Sequence, residues 1–234
     1  MRKVETLLQL QRVDSELDRA RERLVSVDQQ LADRSAVAAL EAELRVAEAD
    51  LQRKVREQRD LELEVQDLRD KLTALEKKLY GGTVHNPKEL SDMAKEAQQF
   101  RGLISGREDR LIEMYDLVEA SASEVGGITA RLEAARAAHD ARQRELIAER
   151  EGLLTTIAED ERRQATLRAE SDAQALRVYD GLRRTRGGLA VAEVAQRTCQ
   201  GCRISLPVNE EIRARTSPDL VFCQSCGRIL HAGL

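Results

Sequence analysis

All four cysteines of this 234-residue chain fall in two short runs near its end, Cys199-Gln-Gly-Cys202 and Cys223-Gln-Ser-Cys226. Two residues within each pair let one tight turn present both sulfurs to a single ion, and four thiolates complete the tetrahedron of a structural zinc site. Twenty residues separate the pairs. Rubredoxin-like or iron–sulfur iron and a redox dithiol pair are the alternatives, and His231 is a spare ligand in reach, although one histidine near a terminus is more often just solvated. The spacing points to one structural Zn²⁺ held by Cys199, Cys202, Cys223 and Cys226. Because four thiolates fill the coordination sphere, no position is left for a catalytic water.

Charge marks the same region. Residues 181–234 carry eight Arg, no Lys and four acids, a net +4 that leaves −8 for residues 1–180. A zinc ion with four thiolates carries −2 and lowers the excess without abolishing it. Arg183, Arg184 and Arg186 cluster ahead of the cysteines, and Arg203 and Arg228 each follow a pair. Guanidinium forks suit phosphate oxygens, so these five form a candidate nucleic-acid surface. A solvated face, or pairing with nearby acidic helices, explains them as well. Phe222 is the one ring in the region, too few for a base-stacking platform.

A third candidate lies far away in sequence, in GGTVHNPKEL. His85, Asn86, Lys88 and Glu89 would be exposed at a turn and could meet a protein partner. Turn chemistry explains most of them: glycine stops a helix, Asn-Pro starts the next, and Glu89 can close a capping box.

The elements that must position these groups are helical. Aromatic residues make up 2% of the chain and charged residues 34%, with Ala, Leu, Glu, Arg and Gln abundant, as in long coiled coils. Apolar positions alternate spacings of three and four from Leu10 through Val13, Leu17, Ala20, Leu24, Val27 and Leu31. The rhythm slips over 32–37 and returns as Leu61, Val65, Leu68, Leu72, Leu75 and Leu79. One helix over 2–79, bent near Ser35, is predicted. A second follows from Pro87 to about Tyr179, kinked at Gly126-Gly127, and the short turn between them (80–87) makes them antiparallel. The fold class is therefore mainly α: a long antiparallel coiled-coil hairpin over 1–180, joined through a basic, glycine-punctuated hinge to a small β zinc ribbon over 181–234. Short strands are expected in LAVAEV, RISL, LVF and RIL, with a helical turn or two in NEEIRAR. So small a module lacks a sufficient apolar core, and metal binding must supply its folding energy.

The NPKEL run, RRTRGGLAVAEV, CQGC and CQSCGRIL together resemble the bacterial C4-type zinc-ribbon proteins with a coiled-coil hook. The resemblance spans essentially the whole chain and is sharpest at 86–90 and 181–231. It implies the four cysteine ligands and a tip motif at Asn86, Lys88 and Glu89. It also implies a nucleic-acid-binding or adaptor role, for some members in flagellar or secretion regulation through an alternative sigma factor.

The expected function is thus a non-enzymatic adaptor. Its ribbon and arginines would bind nucleic acid (RNA or DNA) or transcription and translation machinery, while the coiled coil holds a protein. The alternative is a pure protein-interaction scaffold or chaperone-like adaptor. No Ser/His/Asp set or phosphate-cradling glycine loop is visible, and the three histidines are scattered. The start has no apolar core of a signal peptide and no segment could span a bilayer, so a cytoplasmic location is expected. Apolar positions left outside the seam are compatible with a homodimer.

Overall fold

The computed structural model describes residues 3–233. Its elements are α1 (Lys3–Ala32), α2 (Ser35–Tyr80), α3 (Pro87–Glu170), α4 (Ala173–Thr185), β1 (Val191–Ala195), β2 (Thr198–Cys199), α5 (Val208–Thr216) and β3 (Ile229–His231). The fold is the expected one, a long helical hairpin with a small C-terminal sheet. Two compact units divide it, Met1–Asp33 with Gln143–Leu234, and Arg34–Arg142.

The unit over 34–142 is an antiparallel helix pair. Its buried side chains are few: Val37 and Val65 from α2, and Ala97, Ile104, Met114, Ser121, Ile128 and Leu132 from α3. A two-helix seam leaves half of every core residue's surroundings to solvent, which is why so little is fully covered. Register is written in cross-helix pairs. Arg136 meets Glu41 at 2.6 Å, Lys54 donates to Ser121 at 2.7 Å, Tyr115 donates to Glu62 at 2.7 Å, and Arg107 meets Glu64 at 2.9 Å. Exposed ion pairs add little stability singly, so their main effect is to favour this alignment over slipped ones. At the turn, Gly82 takes the left-handed conformation (φ 70°), Asn86 Oδ1 accepts from the Lys88 N–H at 3.0 Å, and Pro87 opens α3.

Three boundaries differ from expectation. The first helix is not bent but broken: Arg34, at φ −116° and ψ 14°, leaves the helical region, so two helices replace one. Gly126-Gly127 does not interrupt the second long helix, and α3 runs through the pair as a single helix of 84 residues. Neighbouring i→i−4 bonds hold the helix where two glycines merely weaken it. Instead the interruption comes at Ser171–Asp172, short of Tyr179. Asp172 there caps α4, accepting from the Gln174 and Ala175 N–H groups at 3.1 and 2.9 Å. The anticipated hinge is also largely helix, since α4 continues to Thr185 and only Gly187 and Gly188 turn with positive φ.

The other unit holds the site. Val4, Leu7, Leu8 and Leu10 of α1 form one core with Ala175, Tyr179, Ala190, Val191 and Ile229. Helices α1 and α4 and the ribbon therefore share an interior. The sheet has the order β2-β1-β3, with β1 antiparallel to β2 and parallel to β3 (Val191 opposite Ile229). RISL and LVF contribute only single bridges, at Ser205 and Phe222, while Thr198–Cys199 supplies a strand the pattern did not announce.

Candidate metal centre

Each cysteine pair sits on a tight turn closed by its own backbone. The Arg203 N–H donates to Cys199 O at 2.7 Å, and the Gly227 N–H donates to Cys223 O at 2.8 Å. Gly227 turns with φ 72°, and Gly201 has no room for a side chain, since an added Cβ would lie 2.7 Å from Arg228 Cδ. Strand β2 ends at Cys199 and β3 begins three residues after Cys226, so the small sheet holds the two turns face to face.

The four Sγ atoms all lie within 4.8 Å of one another. Cys199 and Cys226 are 3.9 Å apart and Cys202 and Cys223 3.8 Å. A tetrahedron with metal–sulfur bonds of about 2.3 Å has edges of about 3.8 Å, whereas a disulfide closes to about 2.0 Å. The donor set fits one structural Zn²⁺. His231 stands in β3 opposite Glu193 and is outside this cluster.

The thiols are not equivalent. Burial pushes Cys199 up to about 12 and also raises Cys223. Burial is likewise the largest influence on Cys226, but the Arg228 backbone N–H and guanidinium, with the neighbouring thiols, outweigh it together and bring Cys226 down to about 7. Of these three, Cys226 is the thiol most ready to become a thiolate at neutral pH.

The five candidate arginines separate into two groups. Arg228 is a clamp: Nε donates to Leu189 O at 2.8 Å, Nη2 to Arg186 O at 3.0 Å and Nη1 to Gly201 O at 3.3 Å. Arg183 is tied to α1, through Asp18, Asp14 Oδ2 at 3.5 Å and Asp14 O at 3.0 Å. Both guanidinium groups are spent on the fold. Arg184, Arg186 and Arg203 are exposed. At the other candidate site, His85, Asn86, Lys88 and Glu89 are all exposed, with the Asn86 side chain engaged in capping.

Sequence reading missed the residues that seat the ribbon. Gln11 is 6% exposed, and its Oε1 accepts from the Ala190 and Val191 N–H groups at 2.7 and 2.6 Å while Nε2 donates to Val191 O at 2.8 Å. One side chain thus serves β1 as a neighbouring strand would. Beside it, Asp14 is 1% exposed and accepts from Tyr179 Oη at 2.6 Å and from Gln164. The signal was present: both are polar residues set against the leucine seam, and Tyr179 is one of five rings in the chain.

The C4-type zinc ribbon domain matches residues 198–230, and the CT398-like coiled coil hairpin domain matches residues 10–187. No curated protein matches the sequence. Among solved structures, CT398 from Chlamydia trachomatis is similar over 99% of this chain and 98% of its own, with 19% identity and a TM-score of 0.79. A protein from Mycobacterium smegmatis is similar over 98% and 99%, with 22% identity and a TM-score of 0.66. The HP0958 protein from Helicobacter pylori is similar over 98% and 97%, with 18% identity and a TM-score of 0.52. Likeness at these identities speaks for the fold, and the hairpin match covers most of the sequence; the chain belongs to the CT398-like coiled-coil hairpin family, with a C4-type zinc ribbon at its C-terminal end.

Proposed function

We propose that this chain is a non-enzymatic adaptor in which a zinc-built ribbon is a rigidly seated docking head and the coiled-coil hairpin is an arm that holds a second protein. The boundary between head and arm falls near residue 180, with the ligands Cys199, Cys202, Cys223 and Cys226 in the head. The observation that carries this reading is the triple hydrogen bond from Gln11 to the backbone of Ala190 and Val191. Together with the shared apolar core, it fixes the ribbon on α1 and α4, so a partner on the ribbon is presented in a set orientation to those helices. A sulfur-only site fits a reducing compartment such as the cytoplasm, and no helix among the described residues is long and apolar enough to cross a membrane. At the turn between α2 and α3, exposed His85, Lys88 and Glu89 offer the arm a contact of its own.

Affinity capture from nuclease-treated lysate tests the adaptor role. The intact chain should retain one set of proteins that Cys199→Ser/Cys223→Ser loses and another that His85→Ala/Lys88→Ala loses. If neither variant loses any partner, the reading falls.

A second reading, nucleic-acid binding by the ribbon face, is favoured by the exposed guanidinium groups of Arg184, Arg186 and Arg203. Three phosphate contacts should give a logarithmic salt slope of about −2 to −3. Arg184→Ala/Arg186→Ala should flatten that slope on an RNA or DNA oligonucleotide; no binding at low salt removes this reading.

A further inference from the structure

Helix α5 is built the wrong way round for a helix that serves only its own core. Glu210 and Ala214, four residues apart, are 5% and 4% exposed and face the ribbon interior. The opposite side of a helix is offset by about half a turn, which places Val208 and Ile212 outward. They are 49% and 53% exposed, and Ile204, in the loop leading into α5, is 49% exposed. Three β-branched aliphatic side chains on so small a module differ from the scattered exposed leucine that any surface carries. They lower helix propensity and bury little in this fold, so the fold itself does not account for them.

The exposed charges nearest them in the chain, Arg203, Arg213 and Arg215, are positive. Arg203 and Arg213 have no ion pair among the described residues, and the neighbouring half-buried Glu211 meets Arg215 at 3.4 Å. Aliphatic side chains have no use against a phosphate backbone. They suit an apolar helix face, and the flanking guanidinium groups select carboxylates around it.

We propose that the outer face of α5 is a docking surface for an acidic amphipathic helix of a partner protein, with aliphatic side chains over Val208 and Ile212 and carboxylates against Arg203 and Arg213. The proposal rests on the adaptor reading and names the chemistry of the head's partner.

Fluorescence anisotropy on the zinc-loaded full chain tests it with two labelled designed peptides. They share leucines at helical spacing and differ in carrying flanking Glu or flanking Lys; a labelled single-stranded RNA is the third probe. The Glu peptide should bind at least tenfold more tightly than the Lys peptide. Val208→Asp/Ile212→Asp should weaken it at least tenfold with zinc content and helical signal retained, and Arg203→Glu/Arg213→Glu should reverse the peptide preference. Equal binding of both peptides, no binding, or binding indifferent to these variants overturns the proposal. So does RNA binding that Val208→Asp/Ile212→Asp abolishes, or self-association in light scattering that the same variant removes. If these variants keep every captured partner of the intact chain, the surface is wrong and the adaptor stands. If the intact chain captures none, the adaptor itself falls.

Discussion

Arg228 shows how much one side chain can carry. Its guanidinium joins the second cysteine turn to the carbonyls of Gly201, Leu189 and Arg186, and it helps hold Cys226 near neutrality. Lysine keeps the charge but loses the fork. Arg228→Lys should destabilise the zinc-loaded ribbon by about 2–3 kcal/mol, read as an earlier thermal loss of zinc. The four-thiolate site sets a pH dependence. Zinc must displace the proton of any ligand still protonated, so its affinity rises with pH. In the metal-free chain, where the ribbon is released, all four ligands are thiols that must lose their protons to the metal. A plot of log affinity against pH, from competition with a chromophoric chelator, should climb with a slope of about four below pH 8. A pH-independent affinity would contradict a four-thiolate site.

At the scale of elements, the continuity of α3 through Gly126-Gly127 makes a prediction. Nothing lies within 4 Å of an added Cβ at either glycine. Gly126→Ala and Gly127→Ala should each stabilise the helix pair by about 0.5–1 kcal/mol in urea unfolding. The seating of β1 makes a second. Gln11→Ala strands two buried N–H groups and a carbonyl, for a loss of about 3 kcal/mol or more. Hydrogen exchange should then accelerate at Ala190 and Val191 while α2 amides keep their protection. These cases also mark what was legible in the sequence. The hairpin, its turn at Asn86-Pro87 and the cysteine cluster are local patterns, and periodicity, capping and spacing disclose them. The break at Asp172 was equally local, an Asp at a helix start, but a continuing 3–4 rhythm masked it. The roles of Gln11, Asp14, Arg183 and Arg228 depend on neighbours more than 25 residues away, as with Gln11 and Val191, 180 residues apart. Local pattern carries no information about such pairs. It is also why Arg183 and Arg228 looked free for phosphate when the fold had already used them.

Across the whole molecule, a structural zinc at the four cysteines would organise the ribbon, while heptad packing organises the helices. Removing the metal with a strong chelator should therefore leave most helical circular dichroism intact while residues 191–231 become protease-sensitive, and added zinc should restore their resistance. Loss of the helical signal in parallel would mean the hairpin depends on the ribbon. The Gln11 contact has a further consequence, one of timing. Its two ends are 180 positions apart, so the first helix emerges from the ribosome long before the strand it must receive. Until then a buried amide and its apolar surroundings stand uncovered. Nascent chains halted before Val191 would carry that unmet surface as a mark of incompleteness, open to chaperones and degradation machinery.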